Sequence, residues 1–244
     1  MVDSVGNIKW SKIIGRDDKF NEEVPNSIKF DTPEVLYDGI IVEDSIAIVL
    51  GGNLSRSNIM AFDMNGKLLW NKILEAKSPF SSGFESIMKS ASNEIIISSY
   101  VFDFFGDFPS QEILLKINKL GEIENIRAYK FPHGGTISTK GIIRSNSSFS
   151  IFSHIGGENL EGNLVNGYCL IKSDFNLNLI NSNFYYTNSS NYRLRGIREQ
   201  YSLNDSIHYI THRVRDINLP EDPRIYQIGI ITVSYTHLTL PTKA

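Results

Sequence analysis

A short phrase that recurs along the chain limits the folds available to it. Its two clearest copies run from Asp3 to Trp10 and from Asp63 to Trp70, and each joins an Asp-x-x-Gly turn to a segment ending in tryptophan. Fainter copies occupy residues 118–125 and 174–181. Equivalent positions 6, 66, 121 and 177 are 60, 55 and 56 residues apart. A period in this range predicts stacked supersecondary units, because one unit cannot bury its apolar face alone.

Each repeat divides into four short runs rich in β-branched and aromatic residues, separated by Gly, Asn, Asp and Ser, with the fourth run after the Asp-x-x-Gly-like turn, and the last repeat supplies three. The runs lie at 39–43, 45–50, 58–63 and 67–74, then at 85–90, 94–101, 112–118 and 122–130, at 141–145, 148–154 and 167–173, and at 196–202, 206–214 and 225–232. Such runs predict strands, and no segment has a sustained helical period. The sequence therefore predicts an all-β β-propeller of about four four-stranded antiparallel blades. A pair of β-sandwiches and an open solenoid of hairpins remain alternatives.

Both ends of the chain break the repeat pattern. Met1 leads directly into the first turn. After the last run the repeat pattern predicts a turn with Asp and Gly, but residues 234–244 have a different sequence. This tail resembles the translated sequencing-adapter read-through found at the ends of metagenomic reading frames. We therefore expect residues 1–233 to be propeller repeats, residues 234–244 to be a non-native tail, and the repeats to form part of a larger ring.

Composition excludes several classes of function. The 244 residues are 41% hydrophobic and 21% charged, as in ordinary globular proteins, and the formal net charge of −3 argues against general nucleic-acid binding. No apolar run is long enough to span a bilayer. Cys169, the single cysteine, excludes an intramolecular disulfide and lies in a strand-like run, where a buried apolar role is expected.

The long connections between predicted strands form the candidate binding surface. In a propeller these connections, at 15–38, 75–84, 102–111, 131–140, 156–166 and 215–224, would emerge on one face. Residues 102–108 combine four phenylalanines with two aspartates, which could form an aromatic lip for sugar rings or a protein partner. The alternative is that these phenylalanines cover a blade edge and the carboxylates are simply solvated. The candidate ligand-binding residues are Asp103, Phe105, Asp107, Asp216 and Arg224.

The segment from Ala61 to Trp70 resembles the repeat phrase of the PQQ-like (quinoprotein dehydrogenase-like) β-propellers. In that family the tryptophan docks between adjacent blades, which implies structural roles for Trp10, Asp63, Gly66, Trp70 and Gly121. The positions that match the tryptophan in the later repeats, Asn125 and Asn181, depart from the pattern. The resemblance also implies a bacterial, extracytoplasmic protein.

Three functions fit these features. The favoured prediction is a non-catalytic binding or scaffold module, with no cofactor or metal, that holds a protein or carbohydrate on the long-connection face. One alternative is a fragment of a PQQ- and calcium-dependent quinoprotein dehydrogenase, although such enzymes often carry an adjacent-cysteine disulfide that a single cysteine cannot supply. The other is a propeller glycosidase or lyase that uses carboxylates of the long connections.

Overall fold

The computed structural model describes residues 35–53, 56–75, 80–90, 92–103, 111–130, 136–158, 164–186, 192–204, 207–216 and 227–234. These residues form fifteen strands and no helix, so this part of the chain contains no helix that could cross a membrane. The strands are β1 Val35–Val42, β2 Ile46–Asn53, β3 Arg56–Asp63, β4 Leu68–Glu75, β5 Phe80–Lys89, β6 Ile95–Asp103, β7 Gln111–Ile117, β8 Ile123–Lys130, β9 Thr136–Arg144, β10 Ser148–Glu158, β11 Leu164–Asp174, β12 Leu179–Tyr186, β13 Tyr192–Asn204, β14 Ile207–Asp216 and β15 Gln227–Ser234.

The strands form consecutive antiparallel sheets. Strands β1–β4, β5–β8 and β9–β12 form three four-stranded sheets, and β13–β15 form a three-stranded sheet. Within each sheet, neighbours in sequence are neighbours in space. The predicted all-β fold with four-stranded antiparallel blades, the repeating unit of a β-propeller, is confirmed. We call these sheets blades 1 to 4 in chain order.

The strands extend further toward the long connections than the sequence indicated. β1 begins at Val35 where a connection to residue 38 was expected, and β5 begins at Phe80 where a connection to residue 84 was expected. Register shifts in these two strands break the two-residue alternation that reveals a strand in sequence. At the other end of the chain, β15 includes Ser234, and residues 235–244 lie outside the described residues.

The chain divides into two compact units, residues 1–132 and 133–244. Blades 1 and 2 belong to the first unit, where their facing sides share one apolar core. The fully buried members of that core include Ile48 and Leu50 of β2 and Ile95 and Ile97 of β6. In the second unit, the buried side chains of blade 3 include Phe149, Phe152 and the Cys169 thiol. Cys169 thus occupies a buried site.

Tight turns close the opposite end of the blades. In the turn between β3 and β4, Asp63 Oδ1 accepts hydrogen bonds from the backbone nitrogens of Asn65 (2.8 Å) and Lys67 (2.9 Å). Asn118 and Asp174 make the same pair of bonds in the equivalent turns of blades 2 and 3. The side-chain oxygen replaces a missing backbone acceptor, which is why Asp and Asn recur at this position.

In the first unit, a tryptophan contact connects the two blades. Trp70 of β4 is half-buried against the shared core, and its Nε1 donates a hydrogen bond of 3.0 Å to the backbone oxygen of Lys119. Gly121 in the same turn has φ +76°, and a Cβ there would lie 2.9 Å from two indole carbons. Trp70 therefore joins blade 1 to a turn of blade 2. Trp10 lies outside the described residues.

Candidate functional site

Most of the candidate ligand-binding residues lie beyond the part of the chain that the structure describes. Phe105, Asp107 and Arg224 belong to undescribed connections. Asp103 is the last residue of β6, paired with Phe80, and Asp216 is the last residue of β14, paired with Tyr192. Both were expected in connections and instead end strands at the long-connection side. They belong to different units, Asp103 to the first and Asp216 to the second.

The long-connection end of blades 1 and 2 contains a group of polar side chains that is fully described. We call Tyr37, Asp38, Glu85 and Tyr100 the tyrosine–carboxylate cluster. Tyr37 and Asp38 lie in β1, Glu85 in β5 and Tyr100 in β6. The tight turns close the other ends of these strands, so the cluster lies toward the face that the sequence marked as the binding surface.

Two β-bulges position this cluster. In β1 the register with β2 jumps from Leu36 to Asp38, which leaves Tyr37 as the extra residue. In β5 the register with β6 jumps from Phe84 to Ser86, which leaves Glu85 as the extra residue. A bulge redirects the extra side chain out of the regular alternation, and bulges are frequent at sheet edges beside functional sites. Both bulges lie on the first strand of their sheet, which is an edge strand.

Asp38 joins the two bulged strands. Its Oδ2 accepts hydrogen bonds from Ser86 Oγ (2.9 Å) and from the backbone nitrogen of Ile87 (3.0 Å), both in β5. Its Oδ1 accepts a hydrogen bond from the backbone nitrogen of Gly39 at 2.8 Å. Charge-assisted bonds of this kind are among the stronger ones in proteins. Asp38 therefore links blade 1 to blade 2 directly beside Glu85.

A glycine makes room for Tyr100. Tyr100 is paired with Gly83 across β5 and β6, and a Cβ on Gly83 would lie 2.6 Å from the Tyr100 hydroxyl and 2.8 Å from two ring carbons. The phenol ring therefore lies over the backbone of the first strand at Gly83. This position brings the ring to the same edge as Glu85 and Tyr37. Tyr37 is 44% exposed, so the cluster opens to solvent there.

Electrostatics link the members of the cluster. Burial, the charge of Glu85 and the neighbouring Tyr37 together raise the pKa of Tyr100 to about 12. Burial and the charge of Glu85 also raise the pKa of Tyr37 above its ordinary value. Both phenols are therefore neutral at pH 7, and both experience the negative potential of one carboxylate.

The cluster has the chemistry of a binding site. Paired carboxylates catalyse glycoside hydrolysis when one can donate a proton and the other can attack or activate water. Asp38 already uses both of its oxygens in hydrogen bonds that join β1 and β5, which suits a positioning role. Among the described residues, no group of three His, Cys, Asp or Glu side chains could hold a metal ion. The cluster thus combines two neutral phenols with two carboxylates, of which Asp38 is held by hydrogen bonds to the neighbouring blade.

Sequence reasoning missed all four cluster residues. Tyr37 and Asp38 lie in a segment that the sequence predicts to be a connection, and Glu85 and Tyr100 lie in segments that it predicts to be strands. One signal was available, because Glu85 interrupts the otherwise small and apolar segment from Gly83 to Met88. A charged residue within a buried edge strand often marks a bulge or a site.

Comparisons with known proteins give weak likenesses. No family model matches the chain, and no curated protein is significantly similar to it. A mutant of the Cellvibrio cellulosa α-L-arabinanase is 10% identical, with 85% of this chain and 76% of that chain covered and a TM-score of 0.49. An exo-1,5-α-L-arabinanase from a bovine ruminal metagenomic library is 9% identical, with 82% and 74% covered and a TM-score of 0.47. A mutant of the Synechocystis apocarotenoid oxygenase is 10% identical, with 77% and 46% covered and a TM-score of 0.38. Likenesses at this level transfer neither residues nor activity to the chain.

Proposed function

We propose that this chain is a non-catalytic binding module whose ligand contacts the tyrosine–carboxylate cluster at the long-connection end of blades 1 and 2. The observation that carries the proposal is the grouping of Tyr37, Glu85 and Tyr100 at one sheet edge, where Gly83 leaves room for the Tyr100 ring and the charge of Glu85 acts on both phenols. Register shifts also occur in the first strands of blades 3 and 4, so a bulge at this place belongs to the repeat. The tyrosine and the glutamate that occupy the bulges of blades 1 and 2 are particular to those blades.

The arrangement of the carboxylates supports binding over catalysis. Asp38 is held by three hydrogen bonds and serves to join the two blades, so Glu85 is the carboxylate of the cluster whose charge acts on the two phenols. A single carboxylate beside two neutral phenols can orient a polar or cationic group. It does not supply the acid and base pair on which glycoside hydrolysis depends.

A thermal-shift screen tests this proposal. Ligands that bind only the folded state raise the melting temperature in proportion to the logarithm of their concentration. The panel contains neutral oligosaccharides, including arabino-oligosaccharides, together with organic amines and organic acids. At least one class should stabilise the wild type, and Glu85→Gln should reduce that shift. Glu124→Gln, which changes an exposed carboxylate in β8, is the matched control and should leave the shift intact.

The same protein tests the two enzymatic alternatives. Release of reducing ends from arabino-oligosaccharides, lost in Glu85→Gln, would support the glycosidase or lyase alternative. Saturable binding near one equivalent in an absorbance titration with PQQ and Ca²⁺, abolished by Asp103→Asn or Asp107→Asn, would support the quinoprotein alternative. Binding without turnover in both assays is the result expected of a binding module.

The setting of the module is part of the same proposal. The PQQ-like repeat phrase at Ala61 to Trp70 supports a location of the parent protein outside the bacterial cytoplasm. Its partner there would be a protein or a carbohydrate. Fractionation of cells that produce the full-length protein tests this location. Recovery in the cytoplasmic fraction alone would contradict it.

A further inference from the structure

We propose that β12, the fourth strand of blade 3, pairs edge to edge with β12 of a second copy of this chain, so that the two blades form one continuous antiparallel sheet. Among the described residues, β12 is the last strand of its sheet and pairs only with β11. An edge strand presents backbone donors and acceptors along one side, and these can pair with another chain. This inference concerns a different surface from the tyrosine–carboxylate cluster and goes beyond the binding function proposed above.

Charge distinguishes β12 from the fourth strands of blades 1 and 2. Proteins commonly protect edge strands with charged side chains, which oppose pairing with another strand. β4 includes Lys72 and Glu75. β8 includes Glu124 and Arg127. In contrast, β12 contains no charged residue, and neither does the whole run of 18 residues from Phe175 to Tyr192. β12 therefore lacks the charges that oppose edge pairing in the other two strands.

The exposed side chains of β12 favour association. Leu179 is 52% exposed, Ile180 is 55% exposed and Tyr185 is 37% exposed. Ile180 is also the extra residue of a register shift, because Leu179 and Asn181 pair with consecutive residues of β11. Removal of such apolar surface from water provides a driving force for contact with a second strand.

The pattern along β12 suits an identical strand as the partner. Asn181, Asn183 and Tyr185 lie on one face of the sheet. Ser182 and Phe184 lie on the other face. Antiparallel pairing about a two-fold axis keeps each face continuous, so the amides of one copy lie beside those of the other. A register centred on Ser182 places Asn181 of each copy opposite Asn183 of the other, where the two amides can exchange hydrogen bonds. A charged partner strand would find no opposite charge on β12.

The pairing is closed and should be weak. A two-fold contact uses the same surface on both copies, so it produces a dimer and not a growing chain of copies. Each copy contributes one strand of eight residues, whereas stable protein complexes bury at least about 1,000 Å² in total. We therefore expect monomers at low protein concentration and dimers at high concentration.

Sedimentation velocity tests the inference. The weight-average mass of the wild type should rise toward that of a dimer between about 1 µM and about 1 mM protein. Ile180→Lys adds a charge at an exposed position of β12 and should raise the dimer dissociation constant at least about tenfold. Leu69→Lys is the matched control, because Leu69 is the exposed extra residue at the equivalent register shift of β4. This control should leave the association unchanged.

Hydrogen exchange locates the contact on the chain. The backbone amides of β12 should exchange more slowly at the concentrations where the mass rises, because the second strand protects them. The amides of β4 and β8 should exchange at the same rate at all concentrations. Protection of β4 or β8 in place of β12 would contradict the inference.

The mass measurements can also overturn it. A wild type that stays monomeric up to about 1 mM, or an association that Ile180→Lys and Leu69→Lys weaken equally, would refute pairing through β12. Growth into species larger than a dimer would refute the closed two-fold contact. If Ile180→Lys fails to fold, Asn181→Lys places the charge at a second exposed position of the same strand, and the same criteria apply.

Discussion

The contact between Trp70 and Gly121 makes a quantitative prediction about how blades 1 and 2 are joined. A Cβ at residue 121 would lie 2.9 Å from two carbons of the Trp70 ring, and residue 121 has φ +76°. Gly121→Ala therefore has two costs, the strain of a left-handed backbone and the displacement of the indole. A double-mutant cycle with Trp70→Ala separates them, because only the second cost depends on the indole.

The equivalent turn of blade 3 indicates the size of the first cost. Leu177 occupies the corresponding position with φ +65°, so the turn accepts a side chain in this conformation. We assign about 1 kcal/mol to the strain of alanine there. Full burial of a tryptophan contributes about 3–5 kcal/mol relative to alanine, and the half-buried Trp70 should contribute about 2 kcal/mol. Gly121→Ala should therefore cost about 3 kcal/mol in the wild type and about 1 kcal/mol in the Trp70→Ala background.

Urea denaturation followed by far-ultraviolet circular dichroism measures all four proteins without relying on tryptophan fluorescence. The expected coupling energy is about 2 kcal/mol, and additivity within about 0.5 kcal/mol would refute the steric reasoning. Lys119→Ala is the matched control. It removes an exposed ion pair with Glu43 of 2.9 Å but keeps the backbone oxygen that accepts the bond from Trp70, so it should cost less than about 0.5 kcal/mol.

Three further predictions concern individual side chains. Burial raises the pKa of Glu94, but hydrogen bonds from Lys116, Ser92 and Ser90 and the charge of Lys116 outweigh burial and lower that pKa overall. Because solvent screens this partly exposed ion pair, Glu94→Gln should cost at most about 1 kcal/mol at pH 7. That difference should shrink as the pH falls through the lowered pKa of Glu94, which denaturation at pH 3 to 7 would reveal, whereas Glu124→Gln should show no such trend. The pKa of Tyr100 is raised from 10.0 to about 12, so the folded state favours the neutral phenol. The stability that this phenol contributes is complete below pH 10 and should be lost between pH 10 and 12. Tyr100→Phe should make this loss smaller. Gly83→Ala should displace the Tyr100 ring and return its pKa toward 10.0, which ultraviolet titration of the phenols would detect as one tyrosine that ionises earlier.

The local architecture follows directly from the residue identities. Asp63, Asn118 and Asp174 recur because each turn uses their side-chain oxygen in the same two hydrogen bonds, so the repeat period was visible in the residues themselves. The number and order of strands followed from the apolar runs between these turns. These features depend on contacts within a few residues, which residue identities report directly.

The position of the cluster depends on strand register and on how blades 1 and 2 pack. Tyr37 and Glu85 are each the extra residue of a bulge, and a bulge exists only relative to the register of the neighbouring strand. Gly83 was read as part of a connection, yet its missing side chain lets Tyr100 reach the sheet edge. The hydrogen bonds that Asp38 accepts from Ser86 Oγ and the Ile87 backbone nitrogen join different blades. Because such contacts depend on how two sheets pack, one strand's sequence does not encode them.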